Sequence, residues 1–140
     1  MIEAHVDFGD IFARLDAYAD TVKGEVIISG TAAMAKVIYD EVKLRAPVAA
    51  KAHKIKDRVV QPGALRDAVY RVYAKEISTN TRKSYEIGWN RRKAPHGHLL
   101  EFGTVKMAAR PFLRPSMAMA ETAIEAGKQR MLEKLKEVQL

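Results

Sequence analysis

A chain of 140 residues is the size of one domain and is long enough to bury a core without metal or disulfide support. It contains no cysteine, which excludes disulfides, thiolate metal sites and cysteine nucleophiles and fits a protein made in a reducing cytoplasm. The net charge of +7 is unevenly placed, at −3 over residues 1–50, +8 over 51–93 and +2 over 94–140, so the basic element is the middle third. Met1-Ile2-Glu3-Ala4-His5-Val6-Asp7 has neither a basic leader nor an apolar run, and no stretch approaches the ~20 apolar residues of a membrane span. The chain reads as soluble and unexported.

From Asp10 to about Arg45 the pattern is helical. Phe8, Ile11, Leu15, Tyr18, Val22 and Val26 recur at threes and fours, and Ala33, Val37 and Leu44 continue the stripe. The spacing predicts one long helix or two, ended by Pro47. Gly24 and Gly30 each cost roughly 1 kcal/mol against alanine inside a helix, so a bend or break is expected between Gly24 and Thr31. Unbroken, about 36 residues at ~1.5 Å each give a rod of ~54 Å, which outruns a domain of this size and needs a partner chain along part of its length.

Residues 48–64 lack a steady period, carry Lys51, Lys54, Lys56 and Arg58, and finish in the turn signature Gln61-Pro62-Gly63. They read as a mobile basic loop, poorly ordered from 51 to 62 in the isolated protein. Val69 to Ile77 then alternates, with Tyr70, Val72 and Ala74 on one side and Arg71, Tyr73 and Lys75 on the other. Tyr85, Ile87 and Trp89 alternate against Ser84, Glu86, Gly88 and Asn90, which predicts a hairpin across the polar residues 78–83 with one apolar face on the long helix. Trp89 sits beside Arg91-Arg92-Lys93, an arrangement that can stack nucleic-acid bases, but it continues an apolar face and a core role is preferred. After Ser116, the residues Met117, Ala120, Ile124, Met131, Leu135 and Val138 predict a C-terminal helix, and Met107, Met117, Met119 and Met131 read as flexible core filling.

Between hairpin and C-terminal helix lies the densest backbone punctuation of the chain. Pro95 can open a short helix over His98 to Phe102, and Gly103 can close it in a left-handed conformation. Pro111 and Pro115 then bracket an extended arm around Phe112-Leu113, which cannot pair as a central strand and must pack on its own domain or on a neighbour. Phe112 is its expected anchor. Glu101 is read as structural, accepting bonds from backbone donors of the Gly-Thr turn or pairing with Arg110. Arg110 and Arg114 flank Phe112 and can bind phosphate, but pairing with carboxylates of a neighbouring subunit is as good a use of a guanidinium, and the protein contact is favoured. His96, His98 and Glu101 match no standard zinc signature, and neither a nucleophile elbow nor a phosphate-binding glycine loop is present, so no catalytic, metal or cofactor residue is assigned.

The same stretch carries a family resemblance. Ala94, Pro95, His96, Leu99 and Glu101-Phe102-Gly103-Thr104, followed after five residues by Arg110-Pro111-Phe112-Leu113-Arg114-Pro115, with Gly63, Leu65 and Arg66 upstream, are similar to the tail-component proteins of long-tailed phages and prophages typified by phage Hong Kong 97. The resemblance implies a structural virion protein, assembled in the bacterial host cytoplasm, that acts in tail completion or head-to-tail joining without catalysis. It also implies a homo-oligomeric ring that touches neighbouring neck or tail proteins.

The expectation is therefore an α+β fold of one tail-component domain over 1–140, with long N-terminal and C-terminal helices packed on a small, mainly antiparallel sheet. Glu101, Phe102, Arg110, Phe112, Leu113 and Arg114 are the expected subunit or partner contacts. Lys51, Lys54, Lys56, Arg58, Arg91, Arg92 and Lys93 are the candidates for contact with a polyanion such as DNA. The alternative is a small basic nucleic-acid-binding module built on those last residues.

Overall fold

Helix α1 runs without interruption from Gly9 to Arg45, and the C-terminal helix (Ala120–Glu137), both strands of a hairpin (Val69–Tyr73 and Tyr85–Trp89) and a short helix (Ala64–Ala68) pack against it. The computed structural model describes residues 9–49, 51–55, 58–79 and 82–137. In chain order, α1 is followed by strands β1 (His53–Ile55) and β2 (Arg58–Val60), helix α2 (Ala64–Ala68), strands β3 (Val69–Tyr73) and β4 (Tyr85–Trp89), and helices α3 (Gly97–Phe102) and α4 (Ala120–Glu137). Short 3₁₀ turns occupy Lys75–Ile77 and Arg114–Met119. This is the expected α+β arrangement of two long helices with a small antiparallel sheet.

The expected break in α1 is absent, and the packing gives the reason. Gly30 faces Gly127 of α4 where the two helices cross, and a Cβ on Gly30 would lie 2.4 Å from Met131 Cγ. A Cβ on Gly127 would lie 2.5 Å from Met34 Cγ. The two glycines let the backbones approach, and the helix propensity lost at Gly30 is offset by that contact. Gly24 has nothing near it and is simply tolerated.

The close crossing also sets which face of α4 turns inward. Its buried residues are Ala123 and Gly127, not the longer side chains of the apolar stripe. Ile124 and Leu135 are consequently exposed, as is Met117 in the 3₁₀ turn before α4, while Met131 is half-buried at the crossing. Core filling therefore holds for Met131 and fails for Met107 and Met117. Val138, like Phe8 of the first stripe, lies outside the described residues.

Strands β3 and β4 pair antiparallel with Val69 opposite Trp89, Arg71 opposite Ile87 and Tyr73 opposite Tyr85. The face of β3 turned toward α1 is thus that of Val69, Arg71 and Tyr73, the reverse of the expected Tyr70, Val72 and Ala74 face, although only Val69 of the three is buried and Arg71 stays exposed. The apolar alternation of β4 fixes the choice, because pairing carries the partners of Ile87 and Trp89 to the same side. Arg71 is accommodated by lying over the Tyr39 ring of α1, 5.2 Å from its centroid, and the Tyr73 and Tyr85 rings meet edge-on at 5.6 Å. Tyr70 and Val72 are left on the outer face, where Tyr70 donates a hydrogen bond to Glu86.

Residues 48–64 are not a featureless loop. Strands β1 and β2 pair with His53 opposite Val60 and Ile55 opposite Arg58, and Val60 is buried. The β-branched Ile55, Val59 and Val60 suit a short ribbon, which a search for helical periodicity passes over. The turn predicted at Gln61-Pro62-Gly63 is present: Ala64 N–H donates to Gln61 C=O, and Gly63 takes φ 81°, the sign that the third residue of a type II turn requires. The core gathers beneath these elements, with Val42 and Ala46 of α1, Leu65, Ala68, Val69, Ala94 and Phe112 buried together.

Candidate functional site

Glu101, on the last turn of α3, is buried, and its carboxylate faces the arm that follows. Oε2 accepts the backbone N–H of Phe112 at 2.7 Å and of Leu113 at 3.0 Å, and Oε1 accepts that of Arg114 at 3.0 Å. Arg114 Nε completes the arrangement 3.4 Å from Oε1. Pro111 and Pro115 have no N–H to offer, so they bracket the three donors that one carboxylate can collect. The structural role expected of Glu101 is therefore present with different partners: the donors belong to the arm, not to the Gly-Thr turn, and the cation is Arg114 rather than Arg110.

Burial pushes the Glu101 carboxyl upward, but the N–H groups of Leu113, Arg114 and Phe112, with the Arg114 side chain, outweigh it and hold the group below its ordinary value of 4.5. Both oxygens are engaged in this way, which takes from His96 and His98 the carboxylate that a metal or general-base role would share with them.

The arm is tied down at both ends. Arg110 N–H donates to Leu100 C=O at 2.7 Å, and the buried Ser116 Oγ donates to Phe112 C=O at 2.6 Å. Phe112 is fully buried, with the ring of Trp89 edge-on at 5.4 Å. Trp89 in turn lies flat against Gly97, where a Cβ would fall 2.4 Å from its Nε1. The glycine between the two histidines is needed for this close approach, and the preference for Trp89 as a core residue is met. Ser116 and Gly97 were not singled out as packing residues in the sequence; only contacts distant in the chain reveal them.

Gly103 closes α3 with a positive φ, as expected, but at φ 75° and ψ 177° it sits in a region that only glycine enters readily and not in the left-handed helical one. A Cβ there would also lie 2.7 Å from Ala109 N. Gly103→Ala is expected to destabilise the protein by about 1–3 kcal/mol through this backbone alone, measurable as a lowered thermal midpoint. A variant as stable as the parent would show that α3 is closed in another way.

Of the six residues expected to contact a partner, Phe112 and Glu101 are thus turned into their own domain, and Leu113 is half-buried. Phe102, Arg110 and Arg114 remain exposed, with Arg114 stacked over the Phe102 ring at 5.3 Å. Leu99, Val105 and Met107 add further exposed apolar surface close by in the chain.

The basic residues are drawn together more than their spacing suggested. The Arg58 guanidinium donates to the carbonyl of Arg92, docking β2 onto the turn that carries Arg91, Arg92 and Lys93. All four, with Lys51 and Lys54, are exposed, and none of them has an ion-pair partner among the described residues. Lys56 lies outside the described residues.

Residues 10–103, more than half of the chain, match the family model described as "Bacteriophage HK97-gp10, putative tail-component". The chain belongs to this family. It is thereby a phage tail component by family, and the match spans α1 to Gly103, so the Glu101 side of the clasp falls within it and the arm beyond it. No curated protein and no solved structure matches the chain. Among the described residues of this tail component, no helix is long and apolar enough to cross a membrane.

Proposed function

We propose that this tail component is a structural virion protein, assembled in the host cytoplasm, that acts in tail completion and head-to-tail joining as a ring-forming oligomer. It works as one domain over 1–140, touches neighbouring neck or tail proteins, and carries no catalytic activity. The observation that carries the reading is the N-terminal part of α1, ahead of the buried Val26. A 37-residue helix is ~55 Å long at 1.5 Å per residue, whereas a compact chain of this size has a radius of gyration of only about 14 Å. The overhang is apolar on one side, with Leu15 and Tyr18 exposed by 54% and 44%. Exposed Phe102, Arg110 and Arg114, with Leu113 beside them, supply a second contact surface, held from beneath by Glu101 and Phe112. Two unlike surfaces on one subunit suit the repeated heterologous contacts of a ring.

Sedimentation velocity over a range of protein concentrations tests this. A discrete oligomer that grows with concentration is expected, and a chain that stays monomeric throughout would count against the ring.

The basic patch favours a second role beside assembly. Arg58 and the Arg91–Lys93 turn, drawn together and unpaired, suit phosphate neutralisation, as DNA passing through a neck would allow. Duplex binding in a gel shift is expected to fall steeply with salt, and Arg92→Ala should lower the salt slope by about one. Tight, salt-sensitive binding by a chain that never oligomerises would instead favour a nucleic-acid-binding module.

A further inference from the structure

An open apolar groove runs between α4 and the sheet, with α1 as its floor. It encloses about 740 Å³, its lining includes Ile38 of α1, Tyr85 and Ile87 of β4, Met117 of the 3₁₀ turn and Ile124 of α4, and Lys83 and Arg114 lie along it. The groove follows from the close glycine crossing: α4 presents Ala123 and Gly127 to α1, and its larger apolar side chains are left at the side, facing the sheet across a gap.

Leu15 and Tyr18, three positions apart near the N-terminal end of α1, form an exposed apolar helix face of matching kind. Charge points the same way. Residues 1–25 hold six acidic and two basic side chains, a balance of −4, so the remaining residues of a +7 chain carry +11. Asp16 stands next to Leu15, while the groove offers Lys83, which also borders Asp20 and Glu25 of its own α1, and the exposed Arg114, which keeps its pairing with Glu101.

We propose that the groove between α4 and β4 receives the N-terminal half of α1 from a second copy of this chain. Leu15 and Tyr18 enter against Met117, Ile124 and Ile87, with the acidic flanks of the incoming helix toward the cations. Each subunit donates one arm and accepts one arm through different surfaces, so the contact is heterologous and closes into a ring or extends into a filament. The inference rests on the oligomeric reading above and gives it a particular interface.

The cysteine-free sequence allows a background-free test. Leu15→Cys places one thiol on the arm and Ile124→Cys one in the groove, both at exposed positions, with folding checked by circular dichroism. Mixing the two variants under mild oxidation is expected to give a disulfide-linked dimer in at least tenfold excess over either variant alone. The chain with both substitutions should give a ladder or a closed covalent ring. In parallel, Leu15→Asp should weaken self-association of the otherwise unaltered chain by about tenfold or more, the loss of one buried leucine from a contact. If the unsubstituted chain oligomerises in sedimentation but the arm and groove thiols do not link, this interface is wrong and the ring reading stands. If the chain is monomeric and no link forms, both fail. Linking of arm to arm in preference to arm to groove would overturn the proposal in favour of a symmetric pairing of helices.

Discussion

Glu101→Ala is expected to cost about 3–5 kcal/mol, since it leaves three backbone donors and one guanidinium without the anion that collects them. The N–H of Phe112 is buried and water cannot replace the lost acceptor there; those of Leu113 and Arg114 are half-covered and recover part of the loss. Glu101→Gln separates charge from shape. Its amide oxygen can accept from the arm, but its NH₂ group would face a donor, so most of the loss should remain. The charge also gives the effect a pH dependence. Because the folded state holds this carboxyl below its ordinary value of 4.5, the unfolded chain takes up the proton at a higher pH than the folded one. The stabilisation is therefore complete above about pH 4.5 and is lost as the pH falls through the lower folded value. Urea midpoints of parent and Glu101→Gln should lie far apart at pH 7 and converge in acid. Parallel curves down to the acid limit would mean that the carboxylate is not what holds the arm.

The features that could be read from the sequence are those set by neighbours in the chain. The helical period of α1, the alternation of β4, the Pro62-Gly63 turn and the need for glycine at 103 are local, and each is found where it was expected. The errors concern which side of an element faces inward, and these have tertiary causes. Arg71, though exposed, takes the helix-facing side because β4 dictates the pairing and Tyr39 offers it a ring. Most of the stripe on α4 stays outside because two glycines nearly a hundred residues apart form the crossing with α1, where Met131 and Met34 pack into the space their missing side chains leave. Neither is a property of any window of ten or fifteen residues.

The site was legible in its residues and not in its roles. Glu101, Phe112 and Arg114 stand out by their setting among prolines and glycines, yet the carboxylate meets donors eleven to thirteen residues further on, a pairing that chain spacing alone does not single out. The proline signal carried more than was drawn from it. Two residues without N–H groups mark off a run of three that have them; the segment is not the expected extended arm, since Leu113 is helical in conformation and Arg114 opens a 3₁₀ turn, and the N–H groups at such a helix start have no partner in the chain before them and need an acceptor. Glu101 is the buried carboxylate beside them.

Phe112 is the position where the two readings of the arm part most sharply, and Phe112→Ala is expected to lower stability by about 3–5 kcal/mol, as for a large aromatic removed from a core. The ring is wholly buried, meets Trp89 edge-on, and belongs to the cluster that holds Val42, Leu65 and Ala94 together. Its backbone adds to the cost: the cavity left behind borders the N–H donors that Glu101 collects, so water entering it competes with the carboxylate. Against a total of about 5–15 kcal/mol for a domain, such a loss should bring the thermal midpoint down by about 10 °C or more. Phe112→Leu fills most of the volume and should cost less than about 1.5 kcal/mol. Phe102→Ala is the matching control, because its exposed ring should leave stability within about 0.5 kcal/mol of the parent while weakening any contact made through that surface. If the anchor instead lies between subunits, Phe112→Ala would reduce oligomer in sedimentation at an unchanged midpoint, and Phe102→Ala would do nothing. That pattern would return Phe112 to the interface and show that the arm leaves its own domain in the assembled particle.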